Sequence, residues 1–165
     1  MPVKIPLNIN DEEQMLRAIS QAKRAEGVGD VPIGAVLTAP DGKVVARGYN
    51  RKEASNDPTH HAEIAVLRTA SKKLGRWRLQ DLTIYVTLEP CVMCMGALIQ
   101  ARIKRLVFAA PDPKAGACGS IFDISNDKRL NHSIKVTSGV LEDEASKMLK
   151  DFFKKLRESK KGRKG

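Results

Sequence analysis

Two short segments of the chain carry the side chains of a hydrolytic metal centre. The first reads His-x-Glu at residues 61–63, and the second reads Pro-Cys-x-x-Cys at residues 90–94. One imidazole and two thiolates suit Zn2+, and three protein ligands leave a fourth tetrahedral position for water, as in catalytic rather than structural sites. The pattern therefore predicts a catalytic zinc ion held by His61, Cys91 and Cys94, with no organic cofactor.

Glu63 is predicted to move the proton in this chemistry. Residues two apart on a helix do not share a face, so Glu63 is not expected to be a fourth ligand and can instead reach the water at the metal. The Cys-x-x-Cys pair alone is equally typical of a redox site or of half a structural zinc site, and His60 competes with His61 as a ligand. The register of His61 with Glu63 favours the catalytic interpretation.

Both segments are predicted to open helices. Apolar spacing indicates a helix at 61–74, which ends before Gly75, and another at 91–101, where Pro90 suits a helix start. The positive end of a helix dipole favours thiolate over thiol, which matches cysteines at this position. The remaining elements are predicted as helices at 11–26 and 142–160, a possible short helix at 121–125, and strands at 33–39, 43–49, 82–88, 105–110 and 134–140. Strands alternating with helices predict an α/β fold, a three-layer α/β/α sandwich with a five-stranded mixed sheet.

Length and composition limit the number of domains and the class of protein that the chain can form. The 165 residues, 42% of them hydrophobic, predict one domain over 1–160, followed by a basic disordered tail at 161–165. No run approaches the roughly 20 apolar residues of a membrane span, and residues 1–4 do not begin an apolar signal region. These features predict a cytoplasmic protein with no membrane partner, in which the three cysteines stay reduced.

The positive charge is concentrated at the C-terminus. Lys and Arg number 29 against 19 acidic residues, which makes a net charge of +10. Residues 147–165 contain nine basic and two acidic residues, so +7 of the +10 lies there. This is the electrostatic profile of a protein that binds a polyanion, although a charge run is more often only a solvated helix end. The chemistry of the site has to decide between the two.

The metal-site pattern resembles the signature of the zinc-dependent cytidine and nucleotide deaminase superfamily. Over nearly the whole chain, the sequence is similar to the bacterial tRNA adenosine deaminases, which convert the wobble adenosine of an anticodon to inosine. The matching segments are 32–36, 48–50, 57–64, 82–96, 131–132, 139–141 and 151–153. The resemblance implies a cytidine deaminase-like fold, a tRNA partner bound through its anticodon loop, and a homodimer.

The resemblance also implies roles for individual residues. It gives His61, Cys91 and Cys94 to the metal and Glu63 to proton transfer. The residues implied in substrate binding are Asn50, Ala62, Leu88, Pro90, Asp112, Lys114, Asn131, His132 and Phe153. Without the resemblance, Asn50 is interpreted as the cap of a turn and His132 as a hydrogen-bonded structural histidine.

Two other functions stay open on the sequence. The zinc set is common to deaminases of a free base or nucleoside, such as guanine, cytosine or cytidine. A structural zinc could also stabilise an RNA-binding module without catalysis. The basic C-terminus favours RNA over a free base, because each neutralised phosphate adds to affinity. Glu63 beside an open ligand position argues against a module without catalysis.

Overall fold

Five strands form one mixed sheet in the computed structural model, which describes residues 10–162. The strands are β1 (Gly34–Thr38), β2 (Val44–Tyr49), β3 (Thr83–Leu88), β4 (Arg105–Ala110) and β5 (Lys135–Ser138). They lie in the order β2-β1-β3-β4-β5. Strand β1 pairs antiparallel with β2 and β3, whereas β3, β4 and β5 run parallel. The predicted five-stranded mixed sheet is confirmed.

Helices cover both faces of the sheet. They are α1 (Asp11–Gly27), α2 (Lys52–Ser55), α3 (Ala62–Leu74), α4 (Val92–Gln100) and α5 (Glu142–Gly162). Successive strand residues point to opposite faces, so Ile84 and Val86 pack in the core beneath α3 and α4, whereas Tyr85 packs in the core beneath α1 and α5. Two separate cores on the two faces confirm the predicted three-layer α/β/α sandwich.

Helix α1 lies directly against β1. Its first turn is capped by Asn10, whose side-chain oxygen accepts hydrogen bonds from the amides of Glu12 and Glu13. At Gly34 a Cβ atom would overlap the carbonyl oxygen of Ala18, so only glycine allows this close approach of helix and strand. This close contact fixes the position of β1 beneath α1, and the neighbouring strands of the sheet carry the functional residues at their ends.

Three local differences separate the structure from the sequence expectations. The polar segment after β2 contains the short helix α2, which was not predicted. Residues 121–125 do not form a helix, because the Asp123 side chain accepts a hydrogen bond from the Ser125 amide and holds a turn instead. Helix α5 continues to Gly162, so Lys161 and Gly162 are helical rather than part of the predicted disordered tail. Residues 163–165 of that tail lie outside the described residues.

Across residues 10–162, no helix has both the length and the apolar character required to cross a lipid bilayer.

Candidate active site

The cluster of metal-ligating side chains forms where two helices begin. His61 is the N-cap residue of α3 and Cys91 is the N-cap residue of α4, both with extended backbone. Cys94 lies in the first turn of α4 and is fully buried. The ligand atoms of these three residues all lie within 4.8 Å of one another. The structure therefore brings together the three residues that the sequence predicts as ligands.

The distances within the cluster match a tetrahedral zinc site. The Nδ1 atom of His61 lies 3.4 Å from the Cys94 sulfur and 3.7 Å from the Cys91 sulfur. Ligands at the usual Zn–S and Zn–N bond lengths, separated by a tetrahedral angle, lie about 3.5 Å apart. The spacing and the donor set of one imidazole and two sulfurs both fit a divalent ion of the zinc type.

Hydrogen bonds within the cluster shift the pKa of all three side chains. A hydrogen bond from the Cys94 thiol lowers the pKa of Cys91 to about 4 and at the same time raises the pKa of Cys94. The Cys91 sulfur in turn raises the pKa of His61 by hydrogen bonding. At neutral pH the cluster therefore carries a thiolate at Cys91, the ligand form that metals require.

Glu63 lies in the first turn of α3 and is 3% exposed. Burial raises the pKa of its carboxyl group above the usual value. A carboxyl group that burial makes easier to protonate can accept a proton in one step and donate it in the next, which is what a general base and acid requires. Glu63 lines the same cavity as the His61 and Cys91 side chains, which gives it access to a reacting molecule.

A cavity of about 690 Å3 opens above these residues. It is lined by the ends of β3 and β4, by the segment before β1, by residues 111–115 and by one side of α5. Four cations face it, and they come from three different parts of the chain. The predicted residues that line the cavity are Asn50, His61, Glu63, Leu88, Cys91, Asp112, Lys114 and Phe153. The cationic residues are Lys52, Lys114, Lys150 and Arg157.

Asn50 joins the cavity to the start of α3. It follows β2, is 2% exposed, and accepts a hydrogen bond of 2.8 Å from the amide of Ala62 through its side-chain oxygen. Within residues 10–162 its side-chain nitrogen makes no hydrogen bond, and the residue lines the cavity. Asn50 thus holds the first residue of α3 in place and leaves an amide donor for a bound molecule. The sequence alone suggests that Asn50 caps a turn, but its side-chain oxygen binds the start of α3 instead.

Comparison with known proteins agrees with the cluster and the cavity. Residues 9–157 match the family model described as MafB19-like deaminase. The chain belongs to this deaminase family. Two relatives, each 48% identical over 151 residues, are the tRNA-specific adenosine deaminases of Haemophilus influenzae and Bacillus subtilis. The alignments cover 92% of this chain and 87% and 93% of the relatives. They confirm the family resemblance predicted from the sequence.

Solved structures show the same relationship. A structure from studies of A-to-I editing by tRNA:A34 deaminases at the wobble position of transfer RNA has a TM-score of 0.80 and 45% identity, and the match covers 83% of this chain and 99% of that one. Guanine deaminase from Bacillus subtilis has a TM-score of 0.61 and 33% identity, with 90% and 94% covered. The fold is therefore that of nucleobase deaminases, and the deaminase class of enzyme is confirmed.

Not every predicted residue of the deaminase lies in the cavity. Ala62 and Pro90 are buried beside it and make hydrogen bonds with their backbones. The Ala62 amide donates to Asn50, and the Pro90 carbonyl accepts from the amide of Ala117. Asn131 and His132 precede β5, whose first residue pairs with the start of β4, whereas the end of β4 lines the cavity. Asn131 and His132 therefore do not line this cavity, and their contact with substrate stays a prediction. The His132 Nε2 atom instead lies 2.7 Å from the carbonyl oxygen of Ile103, in keeping with the structural alternative.

Glu89 was missed by the sequence analysis. It stands between β3 and Pro90 and is 3% exposed. Burial would raise the pKa of its carboxyl group, but hydrogen bonds from Ser120 and from the amides of Asp112 and Cys118 outweigh burial and hold the pKa below the usual value. The signal in the sequence is a carboxylate directly before Pro90, but its partners lie 23 to 31 residues away. Sequence spacing alone does not identify such a contact.

Proposed function

We propose that this deaminase hydrolyses adenosine to inosine at the wobble position of a tRNA anticodon, with zinc as its metal. One observation carries the proposal. A buried carboxyl group, Glu63, lies beside a His-Cys-Cys cluster and lines a cavity that four cations also face. The 48% identity to tRNA-specific adenosine deaminases over 92% of the chain supports the choice of substrate.

The three ligands hold the ion and Glu63 moves the protons. Zinc, when bound by His61, Cys91 and Cys94, lowers the pKa of water so that hydroxide is available near neutral pH. Glu63 takes the proton of the attacking water and delivers it to N1 of the adenine ring as a C–O bond forms at C6. Glu63 then takes the proton of the new hydroxyl group at C6 and delivers it to the exocyclic amine. The C–N bond then breaks, ammonia leaves, and inosine remains.

The cavity orients the base. The free side-chain amide of Asn50 is placed to donate a hydrogen bond to the ring, and Leu88 provides an apolar contact for the ring face. The Ala62 amide holds the side chain of Asn50, and the Pro90 carbonyl holds Ala117 of the neighbouring loop. A base must leave its stack to enter, which costs least in a single-stranded loop such as an anticodon. Asp112, Lys114 and Phe153 line the rim, where we place contacts with the flanking nucleotides.

The basic part of α5 extends this RNA surface. Lys150 and Arg157 face the cavity, and most of the net charge of the chain lies in residues 147–165. Phosphate contacts would supply affinity that does not depend on sequence and that weakens with added salt. We assign residues 1–160 to one deaminase domain. We also propose that the protein acts in the cytoplasm on tRNA and needs no organic cofactor.

An exposed apolar patch supports the proposed homodimer. Val92 and Met93 are 50% and 37% exposed, and Ile121 and Phe122 are 51% and 55% exposed. The two pairs are neighbours, because the amides of Ile121 and Phe122 donate to the carbonyl of Gly116, which forms a bridge with the residue before Val92. A second copy of the chain would cover such a patch. Sedimentation should show a dimer that Phe122→Asp converts to monomer.

Free-base deamination is the second candidate, since guanine deaminases share the fold. An anticodon stem–loop with A at the wobble position, guanine, cytosine and cytidine should be incubated separately with the zinc-loaded protein. We expect a mass increase of about one dalton in the stem–loop, with release of ammonia. Turnover of a free base or nucleoside alone would reject the tRNA assignment. Binding without any mass change would indicate a module that does not catalyse.

Glu63→Gln is the matched control for this experiment. The amide has the same shape but cannot exchange a proton, so kcat should fall roughly 100- to 10,000-fold. The zinc content should remain one ion per chain, because Glu63 is not among the ligands. Substantial turnover by this variant would remove the proposed role of Glu63.

A further inference from the structure

One buried carboxylate holds both ends of the loop beside the cavity. We call residues 111–120 the cavity loop. The Oε1 atom of Glu89 accepts a hydrogen bond of 3.1 Å from the amide of Asp112, near the start of this loop. The Oε2 atom accepts from the amides of Cys118 and Ser120 at 3.0 and 3.1 Å, near its end. The Ser120 hydroxyl donates to Oε1 as well.

The middle of the cavity loop is shaped around the same carboxylate. A Cβ atom on Gly116 would overlap Oε2 of Glu89 and would lie 2.6 Å from Oε1. Gly116 also forms an isolated bridge with Cys91, and Ala117 donates to the carbonyl of Pro90 at 2.9 Å. The loop thus folds closely over Glu89 and runs beside the start of α4.

The position of the loop matters for what the cavity accepts. Residues 111–115 line the cavity together with the apolar ends of the strands. These five residues belong to none of the helices or strands, so individual hydrogen bonds of the loop hold them in place. Glu89 is the charged acceptor that four donors of the loop share, and hydrogen bonds to a buried charge are stronger than those between neutral groups.

We propose that Glu89 is a positioning residue for substrate recognition, which holds the cavity loop in the conformation that binds RNA next to the reacting base. It does so without touching the metal ligands and without taking part in proton transfer. The proposal rests on the proposed function for the identity of the ligand. Loss of the carboxylate should therefore weaken substrate binding and leave the chemical step intact.

The test uses the zinc-loaded, full-length protein and an anticodon stem–loop. Glu89→Gln keeps the side-chain shape but places an NH2 group where two donors of the loop point. Stem–loop affinity by fluorescence anisotropy should weaken roughly 10- to 100-fold, which is the loss expected from one broken hydrogen bond to a charged group. Turnover at saturating stem–loop should stay within about two-fold, because the metal and Glu63 are untouched. Amide hydrogen exchange at Asp112, Cys118 and Ser120 should accelerate.

Graded and control variants separate positioning from general damage. Ser120→Ala removes one hydroxyl donor and leaves the carboxylate, so it should show a smaller loss of affinity in the same direction. Glu144→Gln removes a negative charge from an exposed residue of α5 and should leave affinity and exchange unchanged. Zinc content, measured by metal analysis, should equal one ion per chain in all variants.

Three results would overturn the proposal. Glu89→Gln with wild-type exchange and affinity would show that the carboxylate does not hold the loop. Faster exchange with unchanged affinity would make Glu89 only structural. A fall in saturating turnover without a change in affinity would make it part of the chemistry. If the wild-type protein binds the stem–loop but does not deaminate it, the proposed function fails, while affinity and exchange still decide the role of Glu89.

Discussion

Replacing Gly116 with alanine adds one methyl group at the tightest point of the cavity loop. The new Cβ atom would overlap Oε2 of Glu89 and lie 2.6 Å from Oε1, well inside van der Waals contact. Glu89 is 3% exposed and is held by four hydrogen bonds, so the carboxylate can move away only if some of these bonds break. The loop and the carboxylate must separate.

The loss of stability in Gly116→Ala depends on which contacts between the loop and Glu89 are broken. Extra atoms in a well-packed site usually cost about 1–3 kcal/mol. If the strain is relieved instead by breaking one hydrogen bond to the Glu89 carboxylate, the loss is also about 1.5–3 kcal/mol. The two routes are alternatives, so we expect Gly116→Ala to lower the free energy of unfolding by about 2 kcal/mol. Stem–loop binding should weaken as well, because residues 111–115 shift with Gly116.

Urea denaturation of the zinc-loaded protein measures the first effect and fluorescence anisotropy the second. Gly27→Ala is the matched control, since Gly27 is exposed at the end of α1 and has no atom within 4 Å of the added Cβ. It should leave stability equal or slightly higher. If Gly116→Ala were as stable as Gly27→Ala and bound the stem–loop like wild type, the close contact between Gly116 and Glu89 would not constrain the loop.

Three further predictions concern the metal, a half-buried ion pair and the RNA surface. Zinc at a thousand times its dissociation constant should raise the thermal midpoint of unfolding, and removal of the zinc with a chelator should lower this midpoint again by about 10 °C. In the Cys94→Ser variant, calorimetry should show no difference between protein with zinc and protein with chelator. The hydrogen bond from Arg105 lowers the pKa of Asp11, so its stabilisation is present above pH 3.8 and is lost as the pH falls through the folded-state pKa. Asp11→Asn should therefore cost about 1–3 kcal/mol in urea unfolding at pH 7, and the difference from wild type should shrink below pH 4. Arg157→Ala should reduce the slope of log affinity against log salt by about one in stem–loop titrations, whereas Lys72→Ala, at the opposite end of α3 from the metal ligands, should not. An equal slope change in both variants would argue against a localised RNA surface.

The long elements and the metal cluster could be predicted from the sequence because their signals are local. Apolar spacing marks α3 and α4, and the αL conformation of Gly75 ends α3 where a glycine suits it. The three ligands follow from residue types with strong metal preferences near helix starts. Because these patterns occupy a few consecutive residues, no knowledge of distant contacts was needed.

The elements that sequence reasoning missed depend on contacts between distant residues. Helix α2 is held at its start by Asp30, which accepts a hydrogen bond from the amide of Glu53 across 23 positions. No apolar period marks such a short polar helix. Residues 121–125 have helix-compatible types, but Asp123 bonds to Ser125 locally and prevents the helix. Their conformations are set by single side chains rather than by a pattern.

The site shows the same division between local and distant signals. Glu63 was found through its spacing from His61, whereas Glu89, equally buried, was not found, because its partners belong to a loop far along the chain. His132 lies outside the cavity, and its contact with substrate stays a prediction. The sequence match that predicts this contact is short, and strand order places the residue near the start of β4, whereas the end of β4 lines the cavity.

The catalytic residues lie at the starts of α3 and α4, whereas the cavity loop is a separate segment. This separation has a practical consequence for enzyme design. The atoms that bind the ion and shuttle protons belong to residues 61–63 and 91–94, while residues 111–115 border the space where a ligand is admitted. An engineer could exchange 111–115 to change selectivity between RNA loops, and the chemical apparatus would stay as it is. Gly116 and the amide donors at Cys118 and Ser120 would have to be retained, because they fasten any replacement segment to Glu89.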